Sequence, residues 1–391
     1  MRGPIDLMHL RPRLSGRGAA VAPIAVAFAV CTAAALTTVA IKPPKHSQPG
    51  QIVAADFPDA LLTRAWAHWD SGWYAAIAAD GYWYNPGQQS PVAFFPAYPT
   101  AIGALHALGV NRFWAGILLT AVCGIAGLFL FNRWARLLHR EPIALAATTL
   151  FAVYPFSFYL YGVMYSDAVF LLAVVGAFYA LEKDKLWIAV ALGIVATAAR
   201  PVAPAVVIGL LGRRIEQRIS RGERVRPVDL APVLAGLGLV AYMAFLWYRF
   251  RDPLAFVHVQ SAPGWEQPPG AATWLKLDLL ERVRQQPTEF GTLVRLANGA
   301  AALGALALAV PTWRRWSKAY AVYIAIVVGI PAISSKDFMG LGRYVIAAFP
   351  LFVTLAYWLQ ARPRLRAAWV AASFAALVSL TMAFAVGRYV A

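Results

Sequence analysis

The sequence predicts an all-α polytopic membrane protein, a bundle of about 9–11 transmembrane helices with its functional residues in the extracytoplasmic loops. Two observations carry this. Sixty per cent of the 391 residues are apolar and 14% are charged, more apolar surface than a soluble domain of that length could cover. The basic residues fall in short runs between the apolar segments. That distribution gives the net charge of +17 its meaning. It marks topology by the excess of Lys and Arg in cytoplasmic loops, with an added attraction to anionic lipid headgroups, and nucleic acid is not an expected partner.

The chain reads as one integral membrane domain over residues 1–391. Residues 1–18 carry Arg2, Arg11, Arg13 and Arg17 and form a cytoplasmic tail. The apolar run at 19–41 is too long for a signal-peptide core and reads as an uncleaved signal anchor. Further runs of spanning length lie at 113–132, 143–161, 230–248, 292–311, 319–334, 344–360 and 367–386, with a shorter one at 168–181. The basic loops at 133–140, 213–226, 314–318 and 362–366 are assigned to the cytoplasm. Parity then requires the stretch 186–211 to enter and return on one side, as two half-helices broken at Arg200-Pro201. Such a break at membrane depth needs protein or a water-filled cavity around it. Residues 42–112 form the first outer loop, with a re-entrant or interfacial segment at 93–109, and 249–291 form the second. Pro43, Pro44, His46 and Pro49 mark an irregular exit from the first helix. Cys31 and Cys123 sit inside apolar runs, which argues against a disulfide or a zinc site.

The residues able to do chemistry lie on the outer side. Residues 63–80 read TRAWAHWDSGWYAAIAAD. On a continuous helix Trp66, Trp69, Trp73 and Ile77 share a face opposite Arg64, His68 and Ser71, the pattern of a helix at the membrane surface. Asp70 falls about 40° from Trp66 on the ideal wheel, beside Tyr74 on the aromatic side. A carboxylate turned toward apolar surroundings loses hydration unless it is compensated. Spacing alone leaves two readings open, an aspartate paired with an arginine elsewhere or a carboxylate at the lip of a cavity. Phe94-Phe95-Pro96-Ala97-Tyr98-Pro99 is a structural break or an aromatic wall for a sugar or an isoprenoid chain. Tyr165-Ser166-Asp167 forms a polar hairpin tip. Arg200 lies within an apolar run, where a charge costs about 2.5–3.5 kcal/mol on insertion scales, and needs an anionic partner, either a carboxylate of the chain or the phosphate of a ligand. Lys336, Asp337 and Arg343 crowd the last outer loop. No phosphate-binding glycine loop, HExxH, nucleophile elbow or DxD-type metal motif occurs, so no cofactor or metal is expected.

His68-Trp69-Asp70-Ser71-Gly72-Trp73-Tyr74, then Ile77, Gly81-Tyr82 and Phe94–Pro99, resemble the second mannosyltransferase of glycosylphosphatidylinositol assembly and its bacterial relatives, within the GT-C superfamily. The resemblance continues through Tyr165-Ser166-Asp167, Arg200-Pro201 and Gly342-Arg343-Tyr344. The chain departs from the eukaryotic pattern in carrying Asp167 rather than Glu, and Pro201-Val202 rather than a Ser-Asn-Gly type sequence. The resemblance implies a GT-C-like bundle and a donor of the polyprenyl-phosphate-mannose kind. It further implies inverting, metal-independent transfer to a glycolipid or glycan acceptor at the extracytoplasmic face of the cell membrane. It makes Asp70 the catalytic carboxylate. Arg200, Arg343 and Lys336 are the candidates to hold the donor phosphate, and Trp69, Trp73, Tyr74, Tyr98 and Asp167 to bind substrate. The competing expectations are a transporter or lipid flippase and a non-catalytic membrane scaffold.

Overall fold

The computed structural model describes residues 18–44 and 57–390. The expected tail, apart from Gly18, and the outer-loop stretch with His46 and Pro49 lie outside the described residues. Among the described residues the chain is helical, without a strand. Helix α1 (Val21–Ile41) buries Ala27, Cys31 and Ala35 on one stripe, small side chains that allow close packing against the last helix. Two short helices follow, α2 (Leu61–Trp66) and α3 (Ser71–Asp80). The single surface helix expected over 63–80 is therefore broken. Trp69 adopts a left-handed backbone (φ +54°) and Asp70 becomes the residue that opens α3. The segment expected to be re-entrant forms α4 (Ala97–Ala107), packed on α3 and on the long α5 (Arg112–Leu138). Asn111 starts α5 by accepting a hydrogen bond from the backbone N–H of Phe113 at 2.9 Å.

The run at 143–161 is not one span. It gives α6 (Glu141–Ala152) and then a 3₁₀ turn, Ser157–Leu160. Pro155 accounts for the stop, because it lacks a backbone donor and disfavours helical geometry in the residue before it. Helix α7 (Asp167–Glu182) is buried along most of its length. Residues 186–220 form α8 (Leu186–Thr197) and α9 (Ala203–Ser220), with the break at 198–202 containing Arg200-Pro201. A 3₁₀ run leads into α10 (Leu237–Phe250), and α11 (Ala255–His258), α12 (Ala271–Trp274) and α13 (Leu277–Gln285) lie in the segment expected to be the second outer loop. Helices α14 (Phe290–Arg315) and α15 (Lys318–Ser334) pack together, α16 (Leu341–Ala347) and α17 (Leu351–Gln360) meet at 85°, and α18 (Pro363–Ala385) returns against α1.

Five helical segments are long and apolar enough to cross a membrane: α1, α5, Pro227–Phe250, α14 and α18. The bent α16–α17 pair would make a sixth. Helices α6, α7, α8 and α15 are shorter, and α7 packs between α5, α8 and α16. Large side chains such as Val122, Val240 and Leu303 are more than half exposed, uncovered by protein as in lipid-facing surfaces. The chain is an integral membrane protein.

The basic loops meet at one end. Arg213 pairs with Glu182 at 2.7 Å and Glu216 at 2.9 Å, and Arg214 with Asp229 at 2.7 Å. Ser317 donates to Glu216 at 2.6 Å, and His139 lies against Trp316 and reaches the Tyr357 hydroxyl. The loops expected to face outward gather at the other end. Between the ends, α5 and the 3₁₀ turn Ser157–Leu160 approach closely at a glycine. A Cβ on Gly124 would sit 2.0 Å from the Leu160 carbonyl oxygen, whereas one on Gly304 would meet nothing within 4 Å. Gly124→Ala should therefore lower stability by about 1–3 kcal/mol, the usual scale of overpacking. Gly304→Ala should leave it unchanged, and thermal unfolding in detergent or nanodiscs measures both.

Candidate active site

At the end opposite the basic loops lies a cavity of about 650 Å³, bounded by both outer loops, by residues 336–343 and by Tyr389 just beyond α18. Its construction starts with backbone turns. Five residues that are not glycine hold left-handed conformations in the loops that meet there, Trp69 (φ +54°), Arg251 (φ +60°), Glu266 (φ +48°), Lys276 (φ +58°) and Phe338 (φ +62°). Such conformations cost of order 1–3 kcal/mol each and persist where the surroundings fix them. Around Trp69 the surroundings do so. Its ring lies edge-on to Tyr389 at 4.8 Å, and the next backbone N–H, of Asp70, donates to the Tyr165 hydroxyl at 3.2 Å. The turn ends with the Asp70 carboxylate in the cavity wall.

Asp70 belongs to a chain of alternating charges. Its Oδ2 receives a contact from Arg343 Nη1 at 3.4 Å, and the same nitrogen lies 3.9 Å from Asp167 Oδ2. The other Asp167 oxygen pairs directly with Arg200. Asp167 and Arg200 are 2% and 5% exposed, so this pair has little access to water. The Arg200 guanidinium also covers the Tyr344 ring at 4.2 Å, and Arg343 lies over Tyr165 at 4.9 Å and Tyr159 at 5.3 Å. Arg343 is held from behind. The backbone N–H of Gly342 donates to the buried Asn298 side chain at 2.6 Å, and its carbonyl accepts from the Tyr154 hydroxyl at 3.2 Å. Withdrawal from water pushes the Asp70 carboxyl above its ordinary value, and Asp167 adds to the rise, while Arg343 opposes it. Oδ1 of Asp70 accepts no hydrogen bond from the described residues.

The facing wall is aromatic. Trp73 stacks on Phe94 with ring centroids 5.9 Å apart, and Trp265 of the second outer loop meets both, at 5.9 and 6.1 Å. The second outer loop is also tied by charge. Lys336 contacts Glu266 at 2.9 Å and Asp278 at 3.5 Å, and its backbone N–H donates to Gln267 Oε1 at 2.7 Å. Arg295 pairs with the buried Asp337.

Of the residues singled out in the sequence, Trp69, Asp70, Trp73, Phe94, Lys336, Asp337 and Arg343 line the cavity. Tyr74, Tyr98, Asp167 and Arg200 are buried outside its lining. Tyr74 donates to Ser166 at 3.1 Å, and the Tyr98 hydroxyl bonds the Gly116 carbonyl and the Thr120 hydroxyl, each at 2.8 Å. Arg282, Arg295 and Tyr389 line the cavity without having been identified from the sequence. Arg295 carries the signal that exposed Arg200, a charge within an apolar stretch. Arg282 and Tyr389 carry none, since an arginine on a polar outer helix and a tyrosine after a span are ordinary.

No family model and no curated protein matches the chain. Among solved structures, the chain is similar to the oligosaccharyltransferase of Archaeoglobus fulgidus in its apo form, with 12% identity and a TM-score of 0.47. That match covers 93% of this chain and 56% of the other, so the chain spans little more than half the length of that protein.

Proposed function

We propose that the protein is an inverting glycosyltransferase of the GT-C type that moves mannose from a polyprenyl-phosphate-mannose donor to a lipid-linked or cell-surface glycan acceptor. The observation that carries this reading is the state of Asp70. It is a carboxylate with a raised proton affinity in the wall of a large cavity, with one oxygen held by Arg343 and the other open. A general base for an alcohol needs that combination of basicity and access. In the proposed step the acceptor hydroxyl oxygen attacks the anomeric carbon, and the bond from that carbon to the phosphate oxygen breaks. The bonding electrons leave with the polyprenyl phosphate, and the hydroxyl proton passes to Asp70. Attack from the face opposite the departing phosphate inverts the anomeric centre, as water does in inverting hydrolysis.

A phosphate leaving group needs cations in fixed positions rather than an acid of its own. Arg343 is suited to this, because its Nε is buried without a hydrogen-bond partner and a phosphate oxygen could supply one. Lys336 stands in the same wall, where a phosphate would compete with Glu266. We assign Arg200 a positioning role, holding Asp167 so that Arg343 stays shared between Asp167 and Asp70. Trp73, Phe94 and Trp265 offer faces on which a sugar ring could lie. The paired basic loops at the opposite end favour a cytoplasmic location for that end, which turns the cavity outward.

Transfer from synthetic polyprenyl-phosphate-mannose to envelope lipids by purified, folded variants tests the base. Asp70→Asn should lower turnover by about 10²–10⁴, the usual contribution of general-base catalysis, with little change in donor affinity. Parental turnover in that variant would reject the assignment. In the parent, the active form is the unprotonated carboxylate, so transfer is kept at high pH and falls as pH drops through the raised Asp70 value. The acid limb of kcat/KM should accordingly lie above the ordinary carboxylate range.

The role of Arg200 is checked by the same pH profile. Arg200→Met leaves Asp167 buried without its nearest partner, which costs about 3–5 kcal/mol of stability. The unmatched Asp167 charge also raises Asp70 further, so the acid limb should move to higher pH in whatever fraction folds. Loss of stability with an unmoved limb would make Arg200 purely structural, and loss of donor affinity with an unmoved limb would return it to the donor phosphate.

A further inference from the structure

The rim of the cavity differs from its interior. Four cations line the space, and three have carboxylates in contact: Arg343 with Asp70, Arg295 with Asp337, and Lys336 with Glu266 and Asp278. The fourth, Arg282 on α13, has no carboxylate partner among the described residues. Its side chain is exposed, whereas Arg343 is largely covered, so Arg282 stands at the mouth.

The same strap of chain is apolar on its outer side. Trp274 and Leu275 are 59% and 64% exposed, and Leu277 and Leu280 on α13 are 47% and 60% exposed. Leu279 is the buried residue of α13, so this helix has an inner anchor and an uncovered apolar face. On a wheel Arg282 lies about 140° from Leu277, turned away from that face. The strap is fixed rather than trailing. Lys276, in a left-handed turn between α12 and α13, lies over the Phe338 ring at 5.0 Å and donates to the carbonyls of Thr273 and Ser335.

Helix α14 sets the depth of the strap. It begins at Phe290, a few residues after α13, and is one of the segments long enough to cross the membrane. Helix α13 therefore lies at the level where that span leaves the apolar layer. A short helix there, with leucine on one side, arginine on another and the exposed Trp274 of α12 just before it, has the composition of an element lying in the headgroup boundary.

We propose that α12 and α13 form a docking site for a lipid-borne phosphate, with Arg282 holding the phosphate and Trp274, Leu275, Leu277 and Leu280 lying along the lipid chain. The apolar face supplies the reason for a lipid rather than a soluble anion. The unpaired guanidinium supplies the charge complement, and the adjoining cavity gives the headgroup somewhere to go. The site rests on the glycosyl-transfer reading only for the identity of the cargo, a prenyl-chain phosphate delivered sideways from the bilayer to the cavity mouth.

Photolabelling of the full chain in phosphatidylcholine nanodiscs tests the proposal, using a long-chain prenyl phosphate that carries a diazirine near its phosphate end. Mass spectrometry should find the label within residues 271–285. Arg282→Ala should reduce that labelling by about tenfold or more, the scale of one hydrogen bond to a charged group. Leu277→Gln combined with Leu280→Gln should reduce it as well, whereas Arg366→Ala, in the first turn of α18 at the opposite end of the bundle, should not. Unfolding temperatures of the variants identify any loss caused by misfolding, and Arg282→Lys, which keeps the charge, should retain part of the labelling. Label confined to other helices, or labelling indifferent to Arg282→Ala, overturns the site. Suppression of labelling by millimolar inorganic phosphate overturns the lipid assignment and leaves a soluble-anion site. Labelling is read without turnover. An Asp70→Asn variant that transfers normally thus rejects the catalytic reading while leaving the lipid site standing, and a failed label leaves the catalytic reading untouched.

Discussion

The alternating sequence of charges from Asp70 through Arg343 and Asp167 to Arg200 constrains the rest of the cavity-bearing half of the molecule. Buried ions are tolerated only when matched, and each of these four comes from a different part of the chain. Asp70 ends the turn before α3, Arg343 sits in the first turn of α16, Asp167 begins α7, and Arg200 occupies the break between α8 and α9. Bringing them together requires the break at Pro201 to open beside the start of α7. It also requires α16 to leave the line of α17, which it does by the 85° bend near Pro350. Both irregularities lie where an unbroken span would carry a single charge into lipid. The backbone contact from Ala97 to the Ala198 carbonyl at 2.9 Å then joins α4 to the same junction.

The two ends of the bundle treat their charges differently. At the basic end, Arg213, Glu182, Glu216 and Tyr320 form a network in which Tyr320 donates to Glu182 at 2.6 Å and receives the Trp134 indole N–H at 2.9 Å. That network joins α5, α7, α9 and α15 and serves as a brace. At the cavity end, the indole nitrogen of Trp69 and Nε of Arg343 are buried without partners. Buried polar atoms without partners also occur at the basic end, at His139 Nε2 and Gln217 Oε1, so the two ends differ in how their charges are paired rather than in this respect.

Much of this was legible in the sequence because composition and charge placement act locally. The long apolar runs that became α1, α5, α14 and α18, and the break at Arg200-Pro201, needed no knowledge of neighbours. The helical pattern over 63–80 misled in one respect. The period was real, but the left-handed turn at Trp69 interrupts it, and that turn is stabilised by Tyr165 and Tyr389 from distant segments. Asp70 was thus singled out on a geometry it does not have. Arg200 was read with two possible partners, and its pairing with Asp167 depends on a contact across 33 residues that no window of sequence displays. Arg282 and Tyr389 were invisible for the same reason, since only the folding of the outer loops and of the segment after α18 brings them to one space. Pro155, by contrast, is a local signal for the end of α6.

The aromatic wall has a consequence for observation as well as for recognition. Trp73 and Trp265 stand with ring centroids 5.9 Å apart and planes inclined at 57°, in the wall of a space that a ligand would fill. Two indoles so close couple their strong far-ultraviolet transitions into a dichroic couplet, to which Trp73–Trp83 at 6.2 Å and Trp134–Trp316 at 6.1 Å add their own parts. Because Trp73 and Trp265 belong to two different cavity loops, the part of that signal that depends on Trp265 is an intrinsic ruler between the loops, with no added dye to disturb the surface it reports on.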